Sequence, residues 1–211
     1  MTVAVRDADG QVVTPEAVVW AYWQRMFPMA DHRRGRIRWY RPHERAVITW
    51  DRFTVSRSLA KVIRNRRPYR ITANRAFPEV IAACADREST WINRDIERLY
   101  VALHEQGVAH SVEAWDPGGA LVGGCYGLAL GGCFAGESMF TRADDAAKIC
   151  VTYLVARLQQ GGFQMLDCQQ QTPHMERFGC RMVADAEYAL MLESCRLPCS
   201  FGPPGDLTVP C

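Results

Sequence analysis

Ala109-His-Ser-Val-Glu-Ala-Trp115, Asp116-Pro-Gly-Gly119, Ala120-Leu-Val-Gly-Gly-Cys-Tyr-Gly-Leu-Ala-Leu130, Gly131-Gly132 and Cys133-Phe-Ala-Gly-Glu-Ser-Met-Phe140 follow one another without a gap. The first stretch alternates apolar and polar residues, as a half-buried strand does. Asp116-Pro-Gly-Gly119 and Gly131-Gly132 are tight-turn sequences, and the runs between and after them are apolar enough for central strands. Three consecutive strands joined by two tight turns form an antiparallel meander.

Working outward, a helix starts after Asn93 and closes at Gly107, and residues 143–160 carry a second helix started by Asp144 or Thr141 and ended by Gly161-Gly162. Phe163–Cys168 reads as a buried strand, Pro173–Phe178 as a short helix, and Asp185 opens another through about Ser194. Upstream, Thr14-Pro15-Glu16 starts a helix that stops before Phe27-Pro28. Residues 31–50 look like loop and short strand, Ser56 or Ser58 begins a short basic helix through Asn65, and Phe77–Ala85 is helical. The order from residue 93 is helix, three-strand meander, helix, strand, helix. That layout is α/β (α+β), an acetyltransferase-like GNAT fold with a mostly antiparallel sheet behind a truncated N-terminal helical segment. The expected division is a short N-terminal subdomain over 1–50, a GNAT-like domain over 51–197 and a loosely packed tail over 198–211.

The 211 residues are 48% hydrophobic, enough to bury a full core. No apolar run approaches the roughly 20 residues of a membrane helix, and the start has no signal-peptide pattern, so a cytoplasmic monomer is expected. Nine cysteines lack any CxxC pair and five histidines lack zinc spacing, so no metal site is expected. Cys195, Cys199 and Cys211 are near enough in sequence for an adventitious disulfide. The net charge of +2 conceals an asymmetry: residues 1–70 sum to +9 and residues 71–211 to −7. The excess lies in two runs. Arg33, Arg34, Arg36, Arg38, Arg41 and Arg45 form one; Arg52, Arg57, Lys61, Arg64, Arg66, Arg67 and Arg70 form the other, which is free of acid. Such a field suits a polyanion such as RNA.

Two carboxylates interrupt apolar strands. Glu137 follows a glycine in Ala-Gly-Glu-Ser-Met-Phe140, and Asp167 sits in Leu166-Asp-Cys-Gln169. A desolvated carboxylate must be paired or face a ligand. The pair can therefore bind a cation or a reacting amine, or be satisfied by backbone and arginine donors. An acetyl-CoA enzyme holds its diphosphate on glycine-rich amides at a helix start, whereas Thr141–Lys148 has no glycine and carries Asp144 and Asp145. That disfavours CoA-dependent acetylation.

Trp91-Ile92, His110–Trp115, Leu121-Val-Gly-Gly-Cys-Tyr-Gly127, Gly136–Phe140 and Leu166–Gln169 resemble, in order, the signatures of the leucyl/phenylalanyl-tRNA–protein transferase family. Ala21-Tyr22, Phe27-Pro28, Trp39-Tyr40, Arg45-Ala-Val47, Ser56-Arg-Ser58, Pro68-Tyr-Arg70 and Ala76-Phe77 match upstream, so the resemblance covers about residues 18–192. It implies an aminoacyltransferase that moves Leu, Phe or Met from charged tRNA to the N-terminal Arg or Lys of a protein, marking it for degradation, without metal or cofactor. By that resemblance Asp167, Gln169 and Glu137 are catalytic, Asp167 orienting Gln169 and helping the attacking amine while Glu137 holds the cationic acceptor. Trp91, Met139, Phe134, Tyr22, Met29, Cys125 and Ser138 would bind substrate. Arg57, Lys61, Arg64, Arg66, Arg67 and Arg70 would bind tRNA. The family pattern has a tryptophan where Met29 stands and a methionine at Cys125, and differs at Thr172 and Arg177. Those departures leave a second acceptor class, a small-molecule or peptide amine in natural-product assembly. A non-catalytic tRNA-binding protein would keep the basic helix without the paired strand carboxylates.

Overall fold

The computed structural model describes residues 3–208. In chain order the elements are β1 (Val5–Arg6), β2 (Val12–Val13), α1 (Pro15–Trp23), β3 (Phe27–Ala30), β4 (Ile37–Tyr40), β5 (Glu44–Thr49), α2 (Arg57–Lys61), a π-helical turn (Val62–Arg66) and β6 (Arg70–Ala73). They continue with α3 (Phe77–Ala85), α4 (Arg94–Glu105), β7 (Ala109–Trp115), β8 (Leu121–Leu130), β9 (Cys133–Thr141) and α5 (Ala146–Gln160). Last come β10 (Met165–Gln169), α6 (Pro173–Glu176), β11 (Arg181–Ala184), α7 (Asp185–Ser194) and β12 (Gly205–Asp206). An eight-stranded sheet, ordered β11-β5-β10-β9-β8-β7-β6-β12, carries the molecule. Only β9 and β10 pair in parallel within it; the meander β7-β8-β9 is antiparallel. The result is a mixed α/β fold with a mostly antiparallel sheet.

Side chains alternate across this sheet and build two cores. On one face Tyr126, Leu128 and Leu130 of β8 meet Phe77, Val80 and Ile81 of α3 and Ile96, Leu99 and Leu103 of α4. On the other, Val112, Ala114, Cys125 and Phe134 meet Ile149, Val151, Leu154 and Leu158 of α5. Leu59 and Ile63 extend this second core, so α5 is enclosed by the sheet on one side and the basic helix on the other.

The caps follow the sequence at several ends: the side chains of Thr14, Ser56, Asn93 and Thr172 accept from backbone N–H groups three residues on. Helix α5 departs from expectation. Neither Asp144 nor Thr141 caps it; Asp145 occupies the cap position at φ 58° without a side-chain cap bond, because its carboxylate is taken by Lys148 at 2.6 Å.

Two expected boundaries need correction. β5 lies inside the large sheet, between β10 and β11, so a division at residue 50 would cut through the sheet rather than beside it. The tail is packed over its described part. Phe201 is buried, stacks on His110 with centroids 4.2 Å apart and on Phe134 at 5.6 Å, and β12 pairs with β6. Gly161 permits this approach, since a Cβ there would meet the Ser200 carbonyl at 2.1 Å. The eight described cysteines are free thiols, and Cys211 lies outside the described residues. No described helix is long and apolar enough to cross a membrane.

Candidate active site

The site arises where the sheet stops being regular. β9 and β10 pair only at Cys133–Met165, Phe134–Leu166 and Ala135–Asp167, then separate. Both strands carry an irregularity at that point. Opposite β8, Ser138 pairs with Tyr126 and Gly136 with Gly127, which leaves Glu137 as the extra residue. Opposite β5, Asp167 pairs with Val47 and Gln169 with Ala46, which leaves Cys168 extra. Bulges re-aim the side chains that follow them. Gln169 adopts φ 54°, a left-handed conformation costly for a non-glycine residue and held here by its neighbours. Gly127 is required across the bulge, because a Cβ would meet the Ala135 carbonyl at 2.2 Å and the Phe134 ring at 2.4 Å.

A cavity of about 350 Å³ fills the opening. Phe27, Met29 and Trp91 wall one side and Leu154, Leu166 and Met175 the other, with Glu137, Ser138, Gln169 and Gln170 among its polar lining. Tyr22 donates to Glu137 Oε1 at 2.5 Å, Tyr100 donates to Oε2 at 3.0 Å, and Gln169 Nε2 lies 3.4 Å from Oε1. Burial raises the Glu137 carboxyl to about 7; the two phenols oppose it and nearby Asp167 adds to it. A carboxylate near neutrality inside a cavity is suited to proton transfer.

Behind this floor lies a second polar layer. Asp167 is fully buried and accepts from Arg45 Nε (3.0 and 3.1 Å), Arg45 Nη2 (2.8 Å), the Tyr188 hydroxyl (2.8 Å) and the Gln169 backbone N–H (2.9 Å). Arg45 is itself buried, with the Phe27 and Tyr188 rings 4.9 and 4.7 Å from its guanidinium. Burial pulls the Arg45 pKa down, but Asp167 and Tyr188 outweigh it and hold the cation above its ordinary value. The bidentate pair thus fixes the peptide at Gln169, and Gln169 in turn faces Glu137.

The expected residues therefore separate. Glu137, Gln169, Trp91, Met139, Met29, Cys125 and Ser138 line the cavity. Three do not. Asp167 has every polar contact inside the protein, so it positions Gln169 rather than touching an incoming amine. Tyr22 is buried behind Glu137 as its donor. Phe134 is wholly buried: the bulge puts it on the same face as Met139, but it lies where β9 and β10 are still paired and is covered by Phe163 and Phe201. Arg45, Tyr100 and Tyr188 were not singled out as site residues. In the sequence Arg45 stands in a basic run and in the Arg45-Ala-Val47 family match, neither of which marks it as the partner of Asp167, and nothing there marks Tyr100 or Tyr188.

The cations separate as well. Arg38 pairs with Asp31, Arg41 with Asp185 and Arg45 with Asp167, while Arg33 donates to the Ala85 and Arg87 carbonyls. Three of the six cations of the first run are thus paired with carboxylates within the fold, Asp185 being shared with Arg25. Arg57, Lys61, Arg64, Arg66 and Arg67 are exposed and have no carboxylate partner among the described residues, whereas Arg70 is held by Asp206 at 2.6 Å.

A family model described as leucyl/phenylalanyl-tRNA protein transferase matches residues 47–193. The leucyl/phenylalanyl-tRNA–protein transferase of Rubrobacter xylanophilus is 48% identical over 190 residues, covering 90% of this chain and 98% of the relative. The chain belongs to this family. The enzyme of the same name from Rhizorhabdus wittichii is 46% identical over 188 residues, covering 87% of this chain and 75% of its own length. The solved structure of L-PGS from Bacillus licheniformis overlays more loosely, at TM-score 0.42 and 17% identity over 68% of this chain and 45% of that one, and has no weight in the assignment. As a member of the leucyl/phenylalanyl-tRNA–protein transferase family, the protein is an aminoacyltransferase. The match begins inside β5, the strand that holds Arg45 two residues earlier, and runs to the last turn of α7.

The raised Glu137 carboxyl has a measurable consequence for stability. In the unfolded chain it releases its proton near the ordinary 4.5; in the fold it holds it to about 7. Stability from this group is therefore full below about 4.5 and lost as pH rises to about 7. Urea unfolding of the parent should lose on the order of 1–3 kcal/mol from this group across that window. Glu137→Gln should flatten that part of the profile; an identical slope in parent and variant would refute the assignment.

Proposed function

We propose that this transferase joins the amino acid of a charged tRNA, of Leu, Phe or Met type, to the N-terminal amine of a protein beginning with Arg or Lys. The observation that carries the reading is Glu137 at the floor of the cavity, flanked by Gln169 and held by two phenols. An aminoacyl ester is already activated, so aminolysis needs alignment and a neutral amine, and the reaction as proposed uses no metal or cofactor. Ionised Glu137 takes a proton from the acceptor ammonium. The amine nitrogen then attacks the ester carbonyl, the C–N bond forms, the C–O bond to ribose breaks, and the departing ribose oxygen takes the remaining proton. Gln169 offers its amide to the reacting carbonyl. Trp91 and the apolar wall with Met139 and Leu154 receive the terminal adenosine and the amino acid side chain.

The splayed β9–β10 pair with α5 behind it supports an acetyltransferase-like GNAT core. The start of α5 does not suit a CoA diphosphate: it has no glycine, Asp145 is left-handed there, and Asp144 is beside it.

The deciding assay mixes the protein with charged Leu-, Phe- and Met-tRNA and an Arg-starting peptide and looks for extended peptide. Transfer only to small amines would replace the protein acceptor with the small-molecule one. Intact tRNA binding without product from any acceptor would leave a binding protein.

Arg57, Lys61, Arg64, Arg66 and Arg67 form the proposed tRNA surface. Replacing Arg66 and Arg67 by glutamine should raise KM for charged tRNA several-fold. It should also reduce the slope of log affinity against log salt by about 1.4–1.8, with kcat within about twofold. An unchanged slope would remove these two arginines from the interface.

A further inference from the structure

A second groove, of about 550 Å³, runs between α5 and the segment that holds the basic turn. Phe53, Val55, Ile63 and Ala156 give it apolar walls, and Gln159, Gln160 and Thr152 place polar groups along one side. Arg64 stands in its lining, with Arg57 and Lys61 on the preceding α2, and no carboxylate lines it. The Gln159 and Gln160 amides are exposed and make no side-chain hydrogen bond among the described residues. Phe53 of this lining stacks in parallel on the buried Phe178, 5.9 Å between centroids at 6°. The wall is the π-helical turn Val62–Arg66, closed by Arg67 at φ 45°. Such turns cost stability and recur at functional sites.

From this geometry we propose that the groove seats an unpaired nucleobase of the donor tRNA, upstream of its aminoacylated end. The inference rests on the transferase reading above. An apolar groove with free amides in its lining, beside cations without carboxylate partners, matches what single-stranded RNA presents: a π face, polar base edges and a phosphate chain. Apolar lining alone would suit other occupants, but the cationic, acid-free surround selects a polyanion. Helix α5 stands between the groove and the reaction cavity, contributing Thr152, Ala156, Gln159 and Gln160 to one and Val151 and Leu154 to the other. The two sites are thus about a helix diameter apart, roughly 10–12 Å. Arg64 and Arg67 contact phosphate, while the groove contacts the base.

The test compares two donors, full-length charged tRNA and 3′-aminoacyl-adenosine, which has no upstream nucleotide. Ala156→Trp fills the groove. It should raise KM for charged tRNA about tenfold or more, leave kcat/KM for aminoacyl-adenosine within about twofold, and leave the salt slope unchanged because no phosphate contact is lost. The double change Gln159→Leu, Gln160→Leu, on exposed positions, should give the same pattern at about 3- to 10-fold and stands in if the tryptophan disturbs folding. Unchanged KM for charged tRNA in both variants would overturn the proposal. So would equal losses with both donors, or a rise in KM for the acceptor peptide instead of the tRNA. A parent protein that transfers from neither donor would refute the transferase reading itself, a distinct result.

Discussion

Asp167→Ala is expected to destabilise the protein by about 3–5 kcal/mol and to abolish measurable transfer, with the two effects sharing one cause. The substitution leaves the Arg45 guanidinium buried without its counter-charge, and strands the Tyr188 hydroxyl and the Gln169 N–H as well. Arg45 cannot shed its proton to escape the cost, since guanidinium stays charged in proteins. Removing both charges should cost less than the sum of the single changes. Arg45→Met with Asp167→Ala is therefore expected to be more stable than Asp167→Ala alone, yet equally inactive, because Gln169 has lost its anchor in both. Urea unfolding of the parent, the two single variants and the double variant measures the coupling. Additive costs would show that the pair is not the element holding this part of the fold, and recovered turnover in the double variant would show that Gln169 needs no such anchor.

The second large effect is on turnover alone. Glu137→Gln should lower kcat/KM by about 10²–10⁴, the usual range for a lost general base. The ascending limb of the pH profile near 7, set by this carboxyl, should vanish with it. The phenols supply a sign test. Tyr22 and Tyr100 hydrogen bonds lower the Glu137 pKa against the larger effect of burial. Tyr100→Phe should therefore move that limb to higher pH while retaining activity above it. A limb that moves to lower pH, or a Gln variant with the parent profile, would assign the proton to another group.

What could be read from the sequence depended on how local the deciding interactions are. The meander was legible because alternation in Ala109–Trp115 and the turns at Asp116–Gly119 and Gly131-Gly132 are set within a few residues. The capped helices were legible for the same reason. Strands β6 and β11 were not, since four residues each carry too little pattern and are made strands by distant partners, β7 and β5. Glu137 and Gln169 could be identified as site candidates from composition and family pattern. Their arrangement could not, because it depends on two bulges and on Arg45, 122 residues from Asp167. Period-two counting is reset at Glu137 and gives no warning that Phe134 lies before the strands part. Nor does a run of arginines show which are neutralised: Arg41 looks like Arg57 until the fold brings Asp185 beside it.

The parting of β9 and β10 has a mechanical consequence. The cavity borders both cores, with Tyr126 and Phe27 from one and Leu154, Leu166 and Met175 from the other. Beyond Ala135–Asp167 these two strands share no ladder bonds, so local opening is weakly opposed along this boundary. A seated aminoacyl end acts as a stitch across it, giving the two halves a common set of contacts. Donor occupancy should thus slow amide exchange on both sides of the seam together, in Gly136–Met139 and in Cys168–Gln170. Catalysis and cohesion of the sheet would then be two consequences of the same contacts.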